Sequence, residues 1–227
     1  MSTTIRGRML AIVLGLAVAA PLFACGDAMV PEALTLKAFH GLNVSADGCV
    51  QADRPAVKGL FDVEYANLGG GDYFAYLKLT NNLAGNDEPA VGRIDTKGVK
   101  VQTIEVTFAR EAPWGFLPES LEIRAEAMID TAEELFLPVG LIPTSVAKLI
   151  QAHNDIFAEG PVDLYFTAKA KGKLYDGTDA ASNELGFAVS VCDDCMVPCN
   201  GRPVEAVCAG AMSQPDGYAC GRSAGGG

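Results

Sequence analysis

The sequence predicts an all-β domain, an immunoglobulin-like antiparallel β-sandwich with one short helix and a disulfide-rich C-terminal tail. Three observations predict it: about seven short segments alternate apolar and polar residues, turn-forming residues separate them, and VCDDCMVPCNGRPVEAVC at 191–208 holds four cysteines. Short strands joined by turns are typical of antiparallel sandwiches, with a barrel as the alternative. We expect the sandwich at 33–192, a tail packed on it at 193–220, and a flexible glycine-rich end at 221–227.

Three strands are expected in the first part of the domain, at 33–39, 61–67 and 72–80. In ALTLKAF at 33–39 the apolar residues alternate with polar ones until Phe39, which falls on the polar side. Strand side chains point to alternate faces, so Phe39 is expected to mark the end of this strand.

The segment 99–109 predicts a strand with an irregularity in its middle. Its apolar residues are odd-numbered up to Val101 and even-numbered from Ile104 onward. A change of parity moves the apolar side chains to the other face, which predicts a β-bulge or a crossing between sheets. The next segment, 120–130, alternates throughout, as expected for a strand with one buried face and one face in water.

The last two expected strands, 162–175 and 184–192, flank the turn-forming DGTDAASN and are predicted to form a closing hairpin. In the second of them Val191 is expected to face the core, so Cys192 is expected on the outer face. The tail would then fold against that face or against the end of the sheet.

One helix is predicted from Thr144, which is expected to act as its N-cap. An apolar stripe at helical spacing includes His153, which is therefore expected to be a partly buried structural histidine. The preceding ELFLPVGLIP at 134–143 is very apolar, but Pro138 and Pro143 indicate irregular structure. We expect it to cover an open end of the sandwich; an exposed docking patch is the alternative.

The first 27 residues have the form of an export signal. Arg6 and Arg8 precede an unbroken run of apolar or small residues at 9–20, which is too short to span a bilayer comfortably. The following LFAC at 22–25 resembles the lipobox of bacterial lipoprotein precursors. The resemblance implies a signal peptide at 1–24, cleavage before Cys25, lipid attached to Cys25, and a short tether at 25–32. Gly26 follows the lipidated residue, so we expect the outer membrane.

The cysteine count agrees with a lipid at Cys25. Seven cysteines are present, and removing Cys25 leaves an even set of six: Cys49, Cys192, Cys195, Cys199, Cys208 and Cys220. An even set in an exported chain predicts three disulfides, although the sequence leaves fifteen pairings open. If all six pair, Cys49 must bond to a cysteine of the tail.

Other chemistry is less favoured in this tail. A zinc site would use Cys192, Cys195, Cys199 and Cys208, but a second C-x2-C pair or a histidine pair is absent. A redox pair at Cys192 and Cys195 would need a lowered thiol pKa, and the aspartates between them act against that. Haem attachment is excluded because residue 196 is Met rather than His. We therefore predict disulfides, with no metal and no cofactor.

Charge restricts the function further. Without the signal segment the chain has 15 basic and 28 acidic side chains, a net charge of −13. Such a surface repels nucleic acid, so we expect no nucleic-acid partner and membrane attachment through the lipid alone. No catalytic motif occurs. The expected role is a binding or structural protein of the cell envelope with a possible envelope partner. The alternatives are an assembly factor of an envelope complex, or a hydrolase using loop carboxylates such as Asp87 or Asp176.

Overall fold

Ten strands in two sheets dominate the part of the chain that the computed structural model describes. That part comprises residues 33–45, 48–67, 71–84, 96–193 and 195, without the side chains of residues 42–50 and 65. All of it belongs to the unit Pro31–Gly227, whereas the unit Met1–Val30 lies outside the described residues. The predicted signal peptide, the lipidation site and nearly all of the tail are therefore not tested by the fold.

The first sheet has four strands in the order β2-β1-β4-β7, and all its neighbours are antiparallel. Its strands are β1 (Leu34–Ser45), β2 (Gly48–Pro55), β4 (Tyr73–Asn81) and β7 (Glu134–Ile142). The predicted strands at 33–39 and 72–80 correspond to β1 and β4, whereas β2 and β7 were not expected as strands.

The second sheet has six strands in the order β3-β10-β8-β5-β6, with β9 also paired to β8. Its strands are β3 (Gly59–Asp62), β5 (Val99–Phe108), β6 (Ser120–Ile129), β8 (Val162–Leu174), β9 (Asp179–Ala181) and β10 (Leu185–Cys192). The β3–β10 pair is parallel and the others are antiparallel. The predicted pairing of the last two long strands is confirmed by β8 and β10.

Helical structure is short. It consists of α1 (Val63–Tyr65), α2 (Thr144–Gln151) and two 3-10 helices, Trp114–Phe116 and Asn154–Phe157. The strand expected at 61–67 is wrong beyond Asp62, where the chain turns into α1. In the described residues no helix is both long and apolar enough to cross a bilayer.

The buried apolar residues of both sheets form one continuous cluster. Phe39 of β1 shows how the sheets meet, because its ring lies 4.6 Å from that of Phe187 in β10 and 6.2 Å from that of Phe166 in β8. The expectation that Phe39 ends its strand is wrong. A register irregularity between Leu36 and Ala38 turns Phe39 into the core, and β1 continues to Ser45.

The predicted irregularity in β5 is confirmed as a bulge. Its register with both neighbours shifts between Val101 and Thr103, while Ile104 is buried on the far side of the shift. The strand stays within one sheet, which excludes the crossing between sheets. The alternating burial of β6 is also as predicted.

The expectation of irregular structure at 134–143 is wrong, because most of this segment is β7. Pro138 lies opposite Tyr76 of β4. β7 is an edge strand of the described sheet and pairs only with β4. Proline lacks an N–H, and it is tolerated at an edge because an N–H on the outer side would have no partner strand. The segment therefore extends the first sheet rather than covering an open end.

Two expectations about the helix also need correction. Thr144 is the first residue of α2 rather than its cap. Its backbone N–H and its hydroxyl donate to Asp72 Oδ1 at 2.7 and 2.9 Å, so a distant carboxylate caps the helix. His153 is exposed, and its ring stacks on Phe116 at 3.9 Å between ring centroids. The helix ends at Gln151, before the apolar stripe reaches position 153.

Candidate functional site

Cys192 and Cys195 form a disulfide at the end of β10, with 5.8 Å between their Cα atoms. Cys192 is buried as the last residue of the strand, and Cys195 is half-buried in the turn that follows. Of the other predicted bridge cysteines, Cys49 lies in β2 without a described side chain, and Cys199, Cys208 and Cys220 lie outside the described residues, as does Cys25. With the first pair made, Cys49 would still have to pair with the tail if all six bond.

Asp62 is a member of this centre that the sequence did not indicate. It ends β3, directly opposite Cys192 on the parallel neighbour β10. Asp62 is only 2% exposed, and its carboxylate oxygens accept the backbone N–H groups of Cys195 at 2.9 Å and Glu64 at 3.0 Å. A buried carboxylate without such donors would be strongly disfavoured, so these contacts hold it beside the two sulfur atoms.

The two sulfur atoms and one carboxylate oxygen of Asp62 all lie within 4.8 Å of one another. These are ligand types that zinc uses. The zinc set considered from the sequence also included Cys199 and Cys208, which lie outside the described residues. Asp62 could have been predicted as a ligand only from the pairing of β3 with β10. In that pairing Gly59 lies opposite Val189, which is 130 positions later in the sequence.

A second feature is a groove of about 510 Å³ on the six-stranded sheet. Its lining includes small residues at alternate positions of β10, Gly186 and Ala188, beside Tyr165 of β8. Val57, in the segment before β3, forms another part of the lining. Val57 is 87% exposed and Tyr165 is 55% exposed, so this is an apolar depression with two large accessible side chains.

Two charged groups beside the groove, Lys58 and Asp163, form an ion pair. Lys58 lies 2.7 Å from Asp163 Oδ1, and the Ser190 hydroxyl donates to the same oxygen at 2.8 Å. The hydrogen bond from Lys58 is the main cause that holds the pKa of Asp163 below its usual range, and the hydrogen bond from Ser190 has a smaller effect in the same direction. Asp163 therefore remains ionised at neutral pH and keeps Lys58 in place.

The loop carboxylates considered for catalysis show structural contacts where they are described, as do neighbouring polar side chains. Asp176 accepts the backbone N–H of Thr178, which lowers its pKa, and Asp179 pairs with Lys173. Asn81 is buried, with its amide bonded to the carbonyl groups of Lys97 and Ile129. A general acid needs a raised pKa, so Asp176 does not favour the hydrolase. Asn86, Asp87 and Glu88 lie outside the described residues.

No family model matches the chain, and a search of curated proteins found no match. Proposals about function therefore depend on the geometry of the disulfide centre and of the groove.

Proposed function

We propose that this protein is a lipid-anchored binding protein of the bacterial cell envelope, and that the groove beside Tyr165 is its contact site for a partner protein. The groove itself is the observation that favours binding. Its volume of about 510 Å³ falls within the usual 300–1,000 Å³ of ligand pockets, and its lining is largely apolar, as in such pockets. Exposed aromatic residues such as Tyr165 are common where proteins contact one another.

The occupant we propose is a basic segment of an envelope protein that inserts one aromatic or aliphatic side chain. The small side chains of Gly186 and Ala188 leave room for such a group, and Val57 and Tyr165 provide apolar contact. The net charge of −13 without the signal segment attracts a cationic partner. Lys58 beside the groove is paired with Asp163, so its positive charge does not oppose a basic segment.

The fold we propose is an immunoglobulin-like sandwich. If β1, β4 and β7 are strands A, B and E, they reproduce the A-B-E neighbour order of one immunoglobulin sheet. If β5, β6, β8 and β10 are strands C, C′, F and G, the other sheet has the neighbour order G-F-C-C′. The same assignment also preserves the chain order, which supports this topology over a barrel. An experimental structure with strand pairs other than these would contradict it.

The anchor is proposed from the lipobox resemblance at residues 22–25, and the outer membrane from Gly26. The Cys192–Cys195 disulfide supports export, because disulfides persist in oxidising compartments. Intact mass of the protein extracted from membranes tests this. A chain that starts at Cys25 and carries acyl mass is expected; a chain without lipid, or one that retains residues 1–24, would contradict the anchor.

A photo-crosslinking amino acid placed at position 57 or 165 tests the groove in intact cells. Both positions are expected to trap the same envelope protein. Position 128 is the matched control, because Met128 is likewise a large exposed apolar side chain, at 66%. It lies opposite Lys100, at the end of β5 that is remote from the groove. The substitution Val57→Lys should weaken the crosslink from position 165, because it replaces an apolar contact with a charge that repels a basic segment. Equal crosslinking from position 128, or no common product from 57 and 165, would refute this site.

A further inference from the structure

We propose that reduction of the Cys192–Cys195 disulfide converts this centre into a zinc site, formed by the two thiolates and the carboxylate of Asp62. The three ligand groups already lie within 4.8 Å of one another. Zinc–sulfur bonds of ~2.3 Å in a tetrahedron place two sulfur atoms ~3.8 Å apart. Breaking the S–S bond and rotating the two cysteine side chains would reach this separation. The site is separate from the groove and does not depend on the proposed binding function.

The backbone keeps the three ligand residues close together even when the disulfide is broken. Asp62 and Cys192 are register partners on adjacent strands, so their relative position is fixed by the sheet. Cys195 follows in the next turn, and its N–H donates to Asp62 Oδ2 at 2.9 Å. A carboxylate oxygen has two lone pairs, so the oxygen that accepts this hydrogen bond can also bind a metal. Such a hydrogen bond orients a metal-binding carboxylate.

The charges at this centre favour a metal ion. Asp62 and Asp193 are both close to Cys192, one across the strand pair and one next in the chain. Both aspartates add negative charge near the sulfur ligands. A divalent cation is attracted by the same field and stabilises both thiolates.

The chemistry requires an external thiol as reductant. Two such thiols transfer two electrons and two protons to the disulfide, which yields two cysteine thiols and one disulfide of the reductant. Binding of Zn²⁺ then releases one proton from each cysteine. Two sulfur ligands and one oxygen ligand leave a fourth tetrahedral position, which water would fill because Cys195 is half-buried rather than enclosed.

Zinc titration of residues 25–227 with Cys25→Ser tests the proposal, with a chromophoric chelator as competitor. The protein is reduced and the reductant is removed under anaerobic conditions. The reduced chain is expected to bind one more zinc ion than the Cys192→Ser, Cys195→Ser double variant, which separates this site from the other thiols. Asp62→Asn should weaken the affinity for that zinc ion at least ~10-fold, whereas Asp179→Asn, at an exposed position, should leave the affinity unchanged.

Zinc-edge X-ray absorption of the double variant Cys199→Ser, Cys208→Ser gives a readout that does not require Asp62 to be replaced. A shell of two sulfur and two oxygen ligands is expected. Loss of the zinc ion from this double variant, equal zinc binding by the oxidised chain, or unchanged affinity after Asp62→Asn would each overturn the proposal.

Discussion

Replacing Cys192 and Cys195 together by alanine should lower the free energy of unfolding by about 2–3 kcal/mol. The bridge joins residues only three positions apart, so it closes a loop of four residues. In the chain-entropy relation such a small loop stabilises the folded state by ~2 kcal/mol. Cys192 is only 2% exposed, and loss of its buried sulfur adds about 1 kcal/mol. The double replacement also leaves an even number of cysteines, four, besides Cys25.

Urea unfolding followed by tryptophan fluorescence measures this effect. The chain has a single tryptophan, Trp114, which is buried and donates from its ring nitrogen to the carbonyl group of Asp163 at 2.7 Å. Its emission should therefore report loss of the tertiary structure. For a domain of this size the melting temperature should fall by ~4–12 °C.

A loss near 5 kcal/mol would refute this reasoning. The same relation gives ~5 kcal/mol for a loop of 144 residues, the loop that a bridge between Cys49 and Cys192 would close. A loss of that size would show that Cys192 ties distant parts of the chain together. No measurable loss would show that the local bridge is not formed in solution.

Three further predictions follow from single side chains. Tyr73→Phe should stabilise the protein by ~1 kcal/mol, because the Tyr73 hydroxyl is buried with no hydrogen-bond partner among the described residues and its burial raises its pKa; thermal melting measures it. Asp72→Ala should cost ~1–2 kcal/mol in urea unfolding, because Asp72 caps the first turn of α2. Hydrogen bonds from Lys78 and then Lys37 lower the pKa of Glu134 from 4.5 to about 2. The stability that Glu134 contributes should therefore be present above pH 4.5 and lost as the pH falls through about 2, as seen by comparison with Glu134→Gln.

Each of these predictions has a result that contradicts it. A destabilised Tyr73→Phe would mean that the hydroxyl has a partner. An Asp72→Ala variant as stable as the parent would mean that the carboxylate does not act as a cap. If the difference between the parent and Glu134→Gln were the same at pH 2 and pH 6, the two lysines would not stabilise the ionised form of Glu134.

Alternation along a strand could be predicted wherever one face is buried and the other is in water. The bulge of β5 is the clearest case, because the shift from Val101 to Ile104 is visible in the sequence. β7 was missed because Pro138 argues against a strand, and only the position of β7 at an edge makes that proline acceptable. Edge position depends on the whole topology, which no local pattern contains.

For the candidate sites, too, local spacing could be read from the sequence, whereas long-range contacts could not. The pairing of two cysteines three positions apart was among the alternatives that the sequence allowed, whereas their contact with Asp62 depends on a long-range strand pair. Likewise, Gly186, Ala188 and Tyr165 form a groove only because β10 and β8 are neighbours in one register. The lipobox resemblance at residues 22–25 remains a prediction that the described residues do not test.

The position of β10 has a consequence for the order of folding. This last strand lies between β3 and β8, and it meets β3 across 130 positions of sequence. Until residues 185–192 are synthesised and delivered, β3 has no partner in its sheet and one edge of β8 is open. Pairing across so long a separation is slow, and open strand edges invite aggregation. A nascent chain that emerges amino end first would thus benefit from a holding chaperone until its final strand arrives.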